Sequence, residues 1–259
     1  MTNSLSQAAI LASLRRSIEH AQRAPKAGAD ELVSSGCREL DQALPAGGFV
    51  PGTLIEWLAS GPGSAASMLS LLVARQACLR GGAVVVLDRA GQFYPPAAAA
   101  WGIDLERLIL IRAANSPDEL WALDQALRCA AVSAVWVVLD KLDARSFRRV
   151  QLAAEVGGGL GLLVRPVRVR GQPTWSDMQI LVEPLPGHPS SDPHARRTRV
   201  QVVRCRGHHG GNAIEMEIDA RTGQLRKASH APSSPSETCP LSVAAPVAHS
   251  KDRRPTARA

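Results

Sequence analysis

The chain has 259 residues, 45% of them apolar and only 3% aromatic, so it can bury one sizeable core built from Leu, Val, Ile and Ala. Its net charge of +7 is confined to one end: residues 1–192 hold 18 basic and 18 acidic side chains, whereas residues 193–259 hold 12 and 5. No apolar run reaches the roughly 18–20 residues of a membrane span, and the first residues lack the apolar centre of a signal peptide, so a soluble cytoplasmic protein is expected.

Residues 5–24 predict an amphipathic helix, with Leu5, Leu11, Leu14 and Ile18 recurring at three- and four-residue steps and Pro25 ending it. With its linker it makes an N-terminal segment, 1–29, ahead of a core at 30–228. The core opens on a short helix around 39–44, stopped by Pro45 and Gly47-Gly48, and a buried strand at 53–58. A helix at about 65–80 closes on Gly81-Gly82, and Ala83-Val84-Val85-Val86-Leu87-Asp88 is an apolar run ending in a carboxylate. A helix at 97–101 and a strand at 108–111 follow. The helix at 116–129 has Ser116 as its expected N-cap, Pro117 at its first position and Asp118-Glu119 in its first turn. A third buried strand at 134–140, a helix at 144–156 and a strand at 160–164 complete the alternation.

Apolar strands alternating with helices predict an α/β fold, a mostly parallel sheet covered on both faces. After residue 166 the segments 177–184, 198–205 and 213–219 alternate polar and apolar residues, which predicts antiparallel strands extending the sheet. Residues 229–259, basic and rich in Pro, Ser and Ala, have no periodicity and read as a disordered tail. The five cysteines are scattered and odd in number, without a C-x-x-C pair, which fits a reducing compartment. Cys205 with His208 and His209 is the one ligand-like cluster, and its plainer reading is an exposed turn; no metal site is expected.

The most informative stretch is Ala59-Ser60-Gly61-Pro62-Gly63-Ser64-Ala65-Ala66-Ser67-Met68, between the first strand and the second helix. It has the outline of a phosphate loop, G-x-x-x-x-G-K-[ST], in which backbone N–H groups cradle phosphates, a lysine reaches the outer ones and a hydroxyl holds Mg²⁺. Counted from Gly61, however, the second glycine becomes Ala66, the lysine Ser67 and the hydroxyl residue Met68; counted from Ala59, the same three positions are Ser64, Ala65 and Ala66. No lysine occurs anywhere between Lys26 and Lys141. Gly61, Gly63, Ser64 and Ser67 thus outline a degenerate nucleotide loop, left with backbone N–H groups for weak ATP binding at most, and no cofactor is expected.

Several ordered segments resemble the RecA-like recombinase core. They are Ser35-Gly36-Cys37-Arg38-Glu39-Leu40-Asp41; the "G-x-[IL]-x-E" strand at Gly52 to Glu56, with one extra residue; Trp101-Gly102-Ile103-Asp104 through Leu108; and Thr198-Arg199-Val200-Gln201-Val202-Val203-Arg204. The match covers roughly 30–227 and implies a RecA-like P-loop core. Leu54-Ile55-Glu56-Trp57-Leu58, the run from Arg148 to Glu155 leading into Leu162-Leu163-Val164-Arg165-Pro166, and Arg196 through Gly207 are most similar to ImuA-type proteins of bacterial mutagenesis cassettes. That resemblance implies an accessory role in damage-inducible (SOS) error-prone translesion synthesis. Its implied company is RecA, an ImuB-type polymerase homologue of the Y family and an error-prone replicative-type polymerase, with association to the nucleoid when DNA is damaged.

The same resemblance places the recombinase catalytic glutamate at Ala90. Asp140, ending an apolar strand, falls where a metal-positioning aspartate stands, and its plainer reading is a polar strand end. No catalytic residue is assigned, and an enzyme is not expected. Arg165, Arg168 and Arg170 occupy the place of a DNA-contacting loop and suit salt-dependent contact with single-stranded DNA phosphates, with Trp175 as a stacking ring or a loop anchor. Arg204 and Arg206 fall on positions that face a neighbouring protomer, and contact with RecA, with DNA or with solvent all fit. A non-catalytic adaptor is the leading expectation. The alternatives are a SulA-type cell-division inhibitor, a divergent DNA-dependent ATPase or a pure DNA-binding module.

Overall fold

The computed structural model describes residues 32–187, 194–207, 210–211 and 213–228. The helix expected at 5–24, the tail at 229–259, His208 and His209 lie outside the described residues. The elements are α1 (Arg38–Ala43), β1 (Leu54–Ala59), α2 (Ala66–Cys78), β2 (Ala83–Leu87), α3 (Pro95–Ala100), β3 (Leu108–Ile111), α4 (Ser116–Arg128) and β4 (Val132–Val138), then α5 (Ala144–Gly157), β5 (Leu160–Pro166), β6 (Met178–Pro184), β7 (Ala195–Cys205), β8 (Ile214–Asp219) and β9 (Leu225–Lys227). They form one nine-stranded sheet in the order β3-β2-β4-β5-β1-β6-β7-β8-β9.

The strands from β3 through β6 run parallel, and β7, β8 and β9 add on antiparallel. This is the expected mostly parallel α/β sheet, with one correction. The segment expected at 177–184 as the first antiparallel strand is β6, which pairs parallel to β1, Ile55 opposite Met178 through Ala59 opposite Val182. Its first five residues are all buried. A strand covered on both faces carries no reliable alternation to declare its direction.

Side-chain parity divides the core. Val84 and Val86 of β2 and Ala134 and Trp136 of β4 join α2 on one face, whereas Val85, Leu87, Val135 and Val137 join α4 and α5 on the other. Successive residues of a strand point to opposite faces, so each all-apolar strand feeds both layers. Helices α4 and α5 start on side-chain caps. Asn115, one residue before the expected Ser116, accepts from Asp118 N at 2.9 Å. Asp143 accepts from the backbone N–H groups of Arg145 and Ser146, each at 3.0 Å. Helix α5 stops on Gly158 in the left-handed region, φ 73°. At Gly157 a Cβ would collide with the carbonyl oxygen of Leu127, so glycine there lets α5 approach the end of α4.

Candidate functional site

The loop from β1 to α2 turns on Gly61 and Gly63, both at positive φ, and reaches α2 through Ala65 in the left-handed region at φ 64°. A Cβ at Gly61 or Gly63 would meet nothing, so their role is the turn itself rather than a tight contact. Ser64 is buried: its N–H donates to Gly61 O at 3.2 Å, and its carbonyl lies 3.0 Å from the Thr198 hydroxyl, which ties the loop to β7. Ser67 is exposed on the first turn of α2. Met68, in the position of the metal-binding hydroxyl, is buried in the core with Leu69, Leu71 and Leu72. No basic residue occurs between Arg38 and Arg75, so the loop itself carries no cation.

Beside Ser67, at the carboxyl ends of β2 and β4, lies a cleft of about 590 Å³. Leu71, Phe93, Tyr94, Trp101, Trp136 and Val138 give it an apolar, aromatic lining, and Ala90 lies on its wall. Its carboxylates and the Trp136 indole are engaged within the protein. Asp88 accepts from Gln92 N at 2.8 Å and Phe93 N at 3.0 Å, and Arg112 approaches it at 3.7 Å. Glu119 receives Arg89 Nε at 3.0 Å, and the indole N–H of Trp136 donates to Ser70 Oγ at 2.8 Å. Asp140 at the rim is exposed and paired with exposed Arg168 at 2.8 Å. Its partner is therefore a guanidinium, and among the described residues no group of three or more acidic, His or Cys side chains is placed to hold a metal.

Arg165 requires a correction. Expected on a DNA-facing loop, it is only 4% exposed because β5 continues to Pro166 and places it opposite Leu58 of β1. Its guanidinium donates to Glu56 Oε1 at 2.6 Å and lies 5.6 Å from the centre of the Phe147 ring. Glu56, fully buried, also accepts from the Thr174 hydroxyl (2.7 Å), the Ser176 hydroxyl (2.8 Å) and the Gln179 amide (2.7 Å). Four donors satisfy the carboxylate, as burial of a charge demands. Sequence reasoning missed this network; the glutamate inside an otherwise apolar strand was the available signal.

The expected DNA loop is likewise not a free projection. After β5 the chain makes a 3₁₀ turn at Val167–Val169, buries Val169 against Leu58 and Leu181, and is held to Glu56 through Thr174 and Ser176. It is a strap over β1 and β6. Arg168 and Arg170 remain exposed on it. Trp175 is half-exposed, with the Arg148 guanidinium 4.8 Å from its ring centre. Arg204 donates to Ser176 O at 3.0 Å, and Arg206 pairs with Asp177 at 3.2 Å and reaches Trp175 O at 3.3 Å. The structure therefore brings Arg204 and Arg206 to the strap's far end, beside the amino ends of β6 and β1, whereas the loop to Ser67 leaves the opposite, carboxyl end of β1.

The sheet is mostly parallel, with a glycine turn between its central strand β1 and helix α2, and similarity to RecA supports reading it as a RecA-like core. No family model matches the chain. Protein RecA of Synechococcus sp. (strain CC9311) is 32% identical over 141 residues, which cover 54% of this chain and 34% of that protein. RecA of Prochlorococcus marinus (strain MIT 9211) is 33% identical over 132 residues, 51% of this chain and 33% of that one. Protein ImuA of Caulobacter vibrioides (strain NA1000 / CB15N) matches at greater length, 29% identical over 211 residues that cover 74% of this chain and 86% of ImuA. Together these similarities support an ImuA-type, RecA-like protein. Among the described residues no helix is long and apolar enough to cross a membrane.

Proposed function

We propose that the chain is a non-catalytic RecA-like adaptor in damage-inducible, error-prone translesion synthesis, bridging RecA and a Y-family polymerase-like partner. Similarity to ImuA supports a role in the damage-inducible mutagenesis system. One observation carries the mechanism: the loop that would hold nucleotide has no cation, and Met68 packs its metal-ligand position into the core. Phosphoryl transfer depends on charge stabilisation of the phosphates, and without it little rate remains. A retained protomer-like surface without hydrolysis works by contact, raising the local concentration of polymerase at a damaged template. Exposed Arg168, Arg170, Arg204 and Arg206 supply direct DNA or partner contact in this reading, and the error-prone replicative polymerase joins through the polymerase-like partner.

Affinity isolation of the full chain from damage-induced cells tests the reading. RecA and the polymerase-like protein are expected together. Capture of the tubulin-like division protein alone would replace the adaptor with a division inhibitor of the SulA type. Steady-state phosphate release stimulated by single-stranded DNA, and lost in Asp140→Ala, would replace it with an ATPase.

A further inference from the structure

We infer that the outward ridge of α5, together with Trp175 of the strap, docks an acidic amphipathic helix of a partner protein. The ridge is apolar where the solvated side of a helix is ordinarily polar. Leu152 and Val156, one turn apart, are 39% and 70% exposed, and Trp175 is 41% exposed. Arg148, one turn before Leu152, holds its guanidinium 4.8 Å from the centre of the Trp175 ring, so the tryptophan continues the ridge onto the strap. The opposite side of α5 packs against the sheet through Phe147, Val150, Ala153 and Ala154. Folding therefore makes no use of Leu152 and Val156.

Cations surround the tryptophan. Arg148 lies over its ring, Arg206 reaches its carbonyl oxygen at 3.3 Å, and Arg204 donates to the next carbonyl, that of Ser176, at 3.0 Å. Arg206 has a carboxylate partner, Asp177 at 3.2 Å; among the described residues Arg148 and Arg204 have none, their bonds going to the Gln151 amide and the Ser176 carbonyl. Glu155 is the acid of the ridge, and it accepts from Gln151. Around Trp175 three guanidinium groups thus face one carboxylate, a positive margin that Asp and Glu beside a partner's apolar side chains complement.

A helix suits this surface better than an extended segment. The side of α5 offers no free backbone groups, and a docked helix satisfies its own, whereas an extended segment pairs at a sheet edge, here β3 or β9. Charge also argues against the chain's own segments. Residues 5–24 hold three arginines against one glutamate, and residues 229–259 hold four basic side chains against two acidic ones. A second copy of the ridge would bring the same cations. Single-stranded DNA would use the arginines and leave Leu152 and Val156 uncovered. The inference rests on the adaptor reading and names the chemistry of one of its contacts.

The test uses the full chain and a fluorescein-labelled helical peptide of about 18 residues, with Leu at i, i+3, i+4 and i+7 spacing and Glu on both flanks. Saturable binding is expected by anisotropy. Leu152→Glu and Val156→Glu, each at an exposed position, are expected to weaken it about tenfold or more while the urea midpoint stays near that of the parent chain. Arg148→Glu with Arg204→Glu is expected to weaken it to a similar extent, and added salt weakens it through the same charges. Failure of the peptide to bind, indifference to both glutamate variants, or equal binding of a peptide with Lys in place of Glu would overturn the inference. Displacement of the probe by equimolar single-stranded oligo-dT would also overturn it and assign the surface to DNA. The two readings fail separately. A chain that ignores the probe yet co-isolates with RecA and the polymerase-like protein loses this surface and keeps the adaptor; one that binds the probe and captures no partner does the reverse.

Discussion

Glu56 and Arg165 form a pair with 0% and 5% of their side chains exposed, held at 2.6 Å. Removing one member of such a pair strands the other in the core, at a cost of about 3–5 kcal/mol. Arg165→Ala and Glu56→Ala are therefore each expected to lower stability on that scale in a urea titration, and the double change Glu56→Leu with Arg165→Met is expected to recover only part of the loss, because Thr174, Ser176 and Gln179 lose their acceptor. Loss of DNA or partner binding in Arg165→Ala without loss of stability would contradict the inward placement. Arg168→Ala with Arg170→Ala is expected to leave stability within about 0.5 kcal/mol, and to weaken any single-stranded DNA binding in filter or anisotropy assays. The sequence distinguishes none of these arginines from the others, because Arg165, Arg168 and Arg170 sit in one short run after an apolar strand. What separates them is where β5 ends, and that is decided by its pairing with β1 rather than by local composition.

At the scale of elements, α4 and α5 owe their junction to a few identifiable positions. Asn115 caps α4, and Asn115→Ala is expected to cost about 1 kcal/mol. The sequence placed this cap one residue late, at Ser116, because Ser and Asn are equally good caps and Pro117 suits either of the first two helical positions. Gly157→Ala is expected to be far more damaging, since its Cβ would enter the backbone of α4; a thermal melt separates the two effects. At the start of α5 the Asp143 carboxyl is held below its ordinary range, first by the Ser146 side chain and then by the backbone N–H groups it caps. A depressed folded value contributes stability above the ordinary aspartate range, and that contribution is lost as pH falls through the folded value. In Asp143→Asn the acid limb of a stability–pH profile is expected to flatten. Helix spacing was legible across the described residues, whereas the strap was not: Thr174 and Ser176 read as loop residues until Glu56 gives their hydroxyls a buried acceptor.

For the whole molecule, the alternation of apolar strands and helices carried the architecture, and the RecA-like segments carried its likeness to ImuA and RecA. Strand direction at β6 and the short β9 were not legible, the first for want of alternation and the second because three residues are too few for a period. Under the adaptor reading, hydrolysis is expected to stay at background with or without DNA, and Ser67→Lys alone is expected not to raise it. Met68 explains why the defect would be hard to reverse. Its side chain belongs to the cluster that fixes α2 against the sheet, so exchanging it for a hydroxyl residue would open a void and bury a polar group in one step. A lineage that regained the lysine would still have to give up fold stability before gaining any rate. Under the adaptor reading, the packing of Met68 therefore sets a toll in fold stability on any substitution that would bring a hydroxyl to this position.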